Sequence, residues 1–137
     1  MNENLYVYQA TALRVNDGDT YTLRVDCGFR IHLDMEIRLL GIDTPEVKRY
    51  SGRYKFEEEI PIGKRIGQWV SNRILNKPLF VKTQKDDTDN YGRMLAEVFY
   101  QENGEWVNLT ERMLELGYDK KSIQEKLESS TTIEIPV

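Results

Sequence analysis

Apolar and polar residues alternate three times in succession over the first forty positions. Leu5, Val7, Leu13 and Val15 share one side of a period-two repeat, so residues 5–16 are expected to form a strand. Asp17-Gly18 follows as a tight-turn signal. Residues 20–27 set Tyr21, Leu23, Val25 and Cys27 against Thr20, Thr22, Arg24 and Asp26, and Gly28 breaks the run. Residues 29–37 set Phe29, Ile31, Leu33, Met35 and Ile37 against Arg30, His32, Asp34 and Glu36. Three neighbouring strands joined by short turns predict an antiparallel meander. Leu39-Leu40 ends the alternation, as at a strand end that is bulged or buried on both faces. Gly41 and Pro45 then open a loop.

Beyond this loop the period changes. Residues 47–59 are polar, basic and aromatic, and read as a surface loop. Pro61 suits the first position of a helix. Ile62, Ile66, Trp69, Val70 and Ile74 recur at helical spacing to about Leu75, and Asn76 and Pro78 stop the run. Strands at 79–84 and 93–101 flank a charged loop from Asp86 to Tyr91, and Asn103-Gly104 is a turn. Asn108-Leu109-Thr110-Glu111 is a capping-box pattern opening a helix that Gly117 closes. Residues 120–128 suggest a short polar third helix. In the tail from Ser129, Ile133, Ile135 and Val137 have the spacing of an added edge strand. Five strands with a helix between the third and fourth predict an α+β protein, mainly β. The expected architecture is a five-stranded Greek-key barrel of the oligonucleotide-binding type (OB-fold) with two to three helices. It would occupy residues 1–128, with 129–137 as a C-terminal tail.

Composition narrows the class. The length of 137 residues suits one domain, and 39% hydrophobic with 31% charged residues describes a globular chain with a modest core. No apolar run approaches the ~20 residues of a membrane-spanning helix. The first eight residues lack the basic and apolar regions of a signal peptide, so a cytoplasmic location is expected. Cys27 is the lone cysteine, which excludes an intramolecular disulfide; its strand-like surroundings suggest a small buried residue rather than a nucleophile. His32, the only histidine, alternates outward and has no partner for a triad. The net charge of −4 argues against a generally adhesive nucleic-acid binder. Its distribution says more: residues 1–47 carry −4, residues 48–93 carry +5 and residues 94–137 carry −5. A polyanion would meet the middle segment.

Two short stretches and a third piece hold the candidate chemistry: Val15-Asn16-Asp17-Gly18-Asp19-Thr20, Arg38 through Glu46, and Asp89-Asn90-Tyr91-Gly92-Arg93. Cleaving a phosphodiester needs a cation on a non-bridging oxygen, a base for water, and positive groups for the charge that develops. A hard ion such as Ca²⁺ takes oxygen ligands. Asp19 and Asp43 are carboxylates placed near neighbouring strand ends, with the Thr44 carbonyl as a third ligand. Glu46 sits beyond a stiffening proline, as suits a base held off the metal. Arg38 and Arg93 offer forked donors to phosphate. Taken singly, each stretch is a common turn or helix start. Tyr50, Tyr54 and Phe56, interleaved with Lys48, Arg49, Arg53 and Lys55, fit base stacking or a solvated loop equally well.

Together the three motifs, in this order over roughly residues 10–118, resemble the staphylococcal nuclease (thermonuclease) family. The resemblance implies an OB-fold barrel with three helices. It also implies Ca²⁺-dependent hydrolysis of DNA and RNA with little sequence preference, leaving 3′-phosphates. It assigns calcium to Asp19, Asp43 and the Thr44 carbonyl, the general base to Glu46, phosphate binding to Arg38 and Arg93, and a place beside the nucleotide to Tyr91. All of these positions carry the expected residue.

The chain also departs from the family. Secreted thermonucleases are basic, and this chain is acidic. The family's tyrosine pair beyond the second helix has no match, Asn90 stands where a lysine precedes Tyr-Gly-Arg, and the third helix is short. Weaker grip on ordinary long DNA is therefore expected. A nuclease without a leader also suits a phage or mobile-element origin. Competing readings are a non-catalytic nucleic-acid or nucleotide binding module on the same barrel, and a phosphodiesterase for small nucleotides.

Overall fold

The computed structural model describes residues 5–48 and 52–137. Its elements run β1 (Val7–Asp17), β2 (Thr20–Asp26), β3 (His32–Leu39), α1 (Glu59–Ile74), β4 (Pro78–Thr88), β5 (Met94–Glu102), β6 (Glu105–Asn108), α2 (Leu109–Glu115) and α3 (Lys120–Glu128). The sheet order is β3-β2-β1-β4-β5-β6, each neighbour antiparallel. A parallel contact of Ile37–Leu39 with Met94–Ala96 joins β3 to β5 and closes β1–β5 into a mixed five-stranded barrel. This is the OB-fold-like α+β architecture that the strand pattern predicts. The sixth strand extends the sheet beyond β5; four residues are too few for a periodic signal.

The inner face of β1 differs from the simple alternation. Ala10 and Ala12 oppose Val25 and Leu23, whereas Val15 opposes Tyr21. Register shifts after Ala12 and after Val15 leave Leu13 and Asn16 without partners. One extra residue flips every later side chain to the other face. Leu13, next to inward Ala12, lies outward at 36% exposure, the extra residue returns Val15 to the core side, and Leu5 precedes the strand at 50%. The third strand is also shorter than its pattern. Phe29, Ile31 and Leu33 are 97%, 51% and 48% exposed, because the β2–β3 hairpin projects past the point where β5 joins β3. Phe29 and Arg30 belong to the turn, at φ +53° and +62°. Alternation marks a face without revealing whether anything covers it. Cys27 is half-buried.

Helix α1 begins at Glu59, so Pro61 is its third residue rather than its first. The first four helical N–H groups have no intrahelical acceptor, so the missing donor costs nothing there. Its apolar stripe, Ile66, Trp69, Val70 and Ile74, joins Ala12 and the other barrel residues in one core. Tyr118 meets Trp69 edge to face, with ring centroids 5.4 Å apart. Asn108 caps α2 by accepting from the Glu111 N–H, and Asp119 caps α3 by accepting from Ser122. The tail forms no strand. Ile135 is buried instead, and the Arg65 guanidinium donates to its carbonyl at 2.7 and 3.1 Å. Among the described residues no helix is long and apolar enough to cross a membrane.

Ile66 is fully buried where α1 meets the barrel. Ile66→Ala should therefore cost about 2–5 kcal/mol, read from the urea midpoint at unchanged slope.

Candidate active site

Strand register carries three distant segments to one side of the barrel. Thr20 pairs with Arg38 across β2–β3, and Arg38 pairs with Leu95 across the closure, two positions after Arg93. Asp19 leaves the β1–β2 turn immediately before Thr20 and is 7% exposed. Its Oδ2 accepts the Thr44 N–H at 3.0 Å, and its Oδ1 accepts the Thr20 hydroxyl at 3.2 Å. The Arg38 guanidinium lies between two carboxylates, with Nη2 3.4 Å from Asp19 Oδ2 and 3.3 Å from Asp43 Oδ1. Its Nη1 donates to the Leu39 and Ile42 carbonyls at 2.8 and 2.7 Å. One arginine thus holds the loop that carries Asp43 and also faces both acids.

Close backbone approach fixes the rest of that loop. A Cβ on Gly18 would lie 2.8 Å from Thr44 Oγ1 and 3.1 Å from Ile66 Cγ2. A Cβ on Gly63, inside α1, would lie 2.7 Å from the Pro45 carbonyl and 3.0 Å from that of Glu46. The Asp43–Glu46 loop is therefore pressed between the β1–β2 turn and α1, and only hydrogen fits at either contact. The Asp43 carbonyl accepts the Lys120 N–H at 2.7 Å, which ties the loop to α3 as well. Thr44 and Pro45 are buried, Glu46 is half-buried, and the Asp43 side chain is exposed.

Arg93 is positioned by Asp89. The Asp89 carboxylate accepts Arg93 Nε at 2.7 Å and Nη2 at 2.6 Å, and its Oδ1 also accepts the backbone N–H groups of Tyr91 and Arg93. Arg93 Nη1 reaches the Thr20 hydroxyl at 3.1 Å, beside Asp19. Burial alone would raise the Asp89 pKa; the Arg93 side chain, the two backbone donors and the Arg93 charge outweigh it and hold the carboxyl below its usual range. Burial pushes Asp17 up to about 7, with the hydrogen bond and the charge of Asp19 adding to the shift. Tyr91 is exposed, with the Arg93 guanidinium carbon 5.2 Å from its ring centroid. Its hydroxyl accepts from Arg53 Nη2 at 2.7 Å.

The structure thus gathers Asp19, Arg38, Asp43, Thr44, Arg93 and Tyr91, with Glu46 on the same clamped loop. Three contributors escape sequence reasoning. Asp89 reads as a turn residue, and nothing in the sequence marks Gly63. Arg53 reads only as one charge in the 48–55 run, of which Arg49 and Tyr50 lie outside the described residues. Tyr54 and Phe56 are half-buried. Asp89 carried a faint signal in Asp-x-Tyr-Gly-Arg, Arg53 an evenly divided one in the basic and aromatic 48–55 run, and Gly63 none.

The donor set suits a hard cation: two carboxylates beside a loop of backbone carbonyls, and no soft ligand. Among the described residues no three acidic, histidine or cysteine groups converge on one point. Asp19 and Asp43 are the two carboxylates that face one guanidinium, and by their chemistry they suit a hard ion better than a soft one.

A profile described as staphylococcal nuclease homologue matches residues 36–134. The chain belongs to this family. Its nuclease relatives include a thermonuclease of Staphylococcus hyicus, 29% identical over 98 residues, covering 72% of this chain and 51% of that protein. A probable endonuclease, LCL3, of Saccharomyces cerevisiae is 37% identical over 82 residues, covering 59% of this chain and 27% of that protein. An uncharacterized protein of Methanocaldococcus jannaschii, MJ1439, is 27% identical over 124 residues, covering 81% and 58%. The chain thus spans well under two thirds of the length of these curated relatives.

Two measurements test this geometry. Alanine favours helix over glycine by about 0.8–1 kcal/mol, so Gly67→Ala, where a Cβ meets nothing within 4 Å, should stabilise the fold. Gly63→Ala meets two carbonyls and should cost a net ~1 kcal/mol, with faster amide exchange over 43–47. The depressed Asp89 carboxyl contributes stability above its unfolded pKa of ~3.9, lost as pH falls through the lower folded value. Melting curves should lose part of their dependence between pH 5 and 2 in Asp89→Asn.

Proposed function

We propose that this protein is a Ca²⁺-dependent endonuclease that hydrolyses phosphodiester bonds of DNA and RNA with little sequence preference. The observation that carries this reading is the Arg38 guanidinium set between Asp19 and Asp43, with Arg93 brought beside Asp19 through the Thr20 hydroxyl. Phosphate donors and hard-cation ligands share one surface, as in-line phosphoryl displacement requires. The thermonuclease and endonuclease names of the relatives support it.

In this scheme the Asp19 and Asp43 carboxylates and the Thr44 carbonyl would hold Ca²⁺, which when bound offsets the negative charge of the phosphate. Glu46 takes a proton from a water molecule. That water's oxygen forms the new bond to phosphorus while the bond to the 5′-oxygen breaks in line, leaving a 3′-phosphate. The departing 5′-oxygen takes a proton from solvent. Arg38 and Arg93 donate to non-bridging oxygens, where charge builds as phosphorus becomes pentacoordinate. Asp89 keeps the Arg93 fork aimed, and the Gly63 contact keeps Glu46 from drifting.

A non-catalytic binding module has one observation in its favour: the chain carries a net charge of −4, whereas a nuclease without sequence preference profits from a basic surface. The two readings separate on cleavage of single-stranded DNA, duplex DNA and RNA with Ca²⁺, with Mg²⁺ and with a chelator. The nuclease reading expects Ca²⁺-dependent cleavage, abolished by the chelator. In Glu46→Gln, turnover should fall at least about a thousandfold while calorimetric Ca²⁺ binding persists, whereas Asp19→Ala should weaken both. Full activity in Glu46→Gln removes the base assignment. A folded protein that cuts nothing under any metal is a binding module.

A further inference from the structure

The first half of β3 has a free side. Its register with β2 runs unbroken from Arg38 back to His32, but β5 meets β3 only at Ile37–Leu39. Among the described residues, positions 32–36 therefore pair with β2 alone. The direction of their main-chain groups follows from the two ends of the ladder. The Cys27 N–H donates to the Ile31 carbonyl at 2.9 Å, and the Leu39 N–H to that of Asp19 at 2.8 Å. Bonded pairs alternate in an antiparallel ladder, so Leu33, Met35 and Ile37 turn their N–H and C=O groups to β2. His32, Asp34 and Glu36 turn theirs outward. Leu40, of the same parity, donates to the Ala96 carbonyl at 2.8 Å where β5 has arrived.

Sheet edges are usually blunted by lysine, proline or a bulge. Residues 31–36 carry no lysine or proline, and their register has no shift. Their odd positions are apolar: Ile31 and Leu33 are exposed, and Leu33 and Met35 line a cavity of about 400 Å³ with Tyr6, Tyr8 and Met94. A strand laid along this edge would satisfy the outward groups and cover the apolar side chains. A second copy supplies such a strand, and a two-fold axis makes the pairing antiparallel. Outward residues must then face outward residues, which leaves few registers. An axis at Asp34 sets two aspartates opposite each other, and an axis at Met35 sets Asp34 opposite the partner's Glu36; like charges in such positions oppose pairing. An axis at His32 draws Arg30 into the ladder, but Arg30 lies in the turn at φ +62°. An axis at Leu33 sets His32 opposite the partner's Asp34, Ile31 opposite the partner's Met35, and Leu33 opposite the partner's Leu33. Only this register matches polar with polar and apolar with apolar without setting like charges opposite.

We propose that the free edge of β3 pairs with the same edge of a second copy, antiparallel about a two-fold axis at Leu33. The two His32–Asp34 pairs exchange about four main-chain hydrogen bonds, and the Leu33 side chains meet at a non-bonded pair, where side chains approach most closely. Asp34 already accepts two Arg24 nitrogens at 2.8 and 2.9 Å, and its remaining lone pairs accept from the partner's His32. A ladder this short gives a weak dimer that depends on concentration. The pairing owes nothing to phosphodiester hydrolysis, and its test involves no turnover.

Sedimentation equilibrium of the protein over roughly 1–200 µM should show a shift from 16.1 kDa toward twice that mass. Leu33→Lys and Leu33→Asp each set like charges on the axis and should stay monomeric, with circular dichroism melts checking that they fold. Mixed in equal amounts, the two should dimerise again, because position 33 faces itself in this register. Leu33→Cys in a Cys27→Ser background leaves the edge nearly unchanged. Under mild oxidation it should form a disulfide-linked dimer at least about tenfold faster than Ile31→Cys in the same background, since position 31 faces position 35 and not itself. A wild type that stays monomeric at the highest concentration overturns the proposal. So does a Leu33→Lys that associates like wild type, a mixture that stays monomeric, or crosslinking no faster at 33 than at 31. Should the charged variants unfold, the cysteine pair decides alone.

Discussion

Everything functional in this molecule hangs on a parallel ladder three residues long. Ile37, Arg38 and Leu39 pair with Met94, Leu95 and Ala96, and these three pairs are the ladder between β3 and β5. Parallel pairing needs a long crossover, here supplied by the chain from Leu40 through α1 and β4. Its register is locked by burial: Ile37 and Leu39 are each 1% exposed, so Arg38 between them must face the other way. A slip of one residue would put the guanidinium into the core and strand two aliphatics in water. The cost of that error is what makes the position of Arg38 reliable.

Once Arg38 is placed, the loops follow from close contact rather than from loop chemistry. The guanidinium satisfies two carbonyls of the Leu39–Asp43 segment while facing two carboxylates. Lysine, with one compact charge on a single nitrogen, cannot reach these acceptors from two separate nitrogens. The Asp19 carboxylate in turn fixes Thr44 by its N–H, and the glycines at 18 and 63 let the turn and the helix close on either side. The aspartate that reads as a ligand therefore also supports the backbone, so its substitution is expected to disturb more than one function.

The charge of the whole chain misleads about this surface. Each site arginine lies against acid or phenol: Arg38 with Asp19 and Asp43, Arg93 with Asp89, Arg53 with Tyr91. Partnered cations hold fixed directions, and fixed directions matter more to a phosphate than excess positive charge does. A site of this kind grips locally and gains little from long-range attraction.

The order of strands, the capped second helix and the amphipathic first helix were legible because each is a local period or a local cap. The candidate site residues were legible because three motifs recur in a fixed order. Local patterns failed where a distant neighbour decided the outcome. The bulge that puts Leu13 and Val15 on opposite sides depends on the register with β2, and Phe29, Ile31 and Leu33 are bare because β5 joins β3 too late to cover them. Gly63 belongs to the site only because α1 packs against the Glu46 loop. The sequence by itself determined which residues have the chemistry and which faces seek burial. Only the tertiary structure decided which of them meet, because periodicity runs along one strand while proximity is set by barrel closure between strands far apart in the chain.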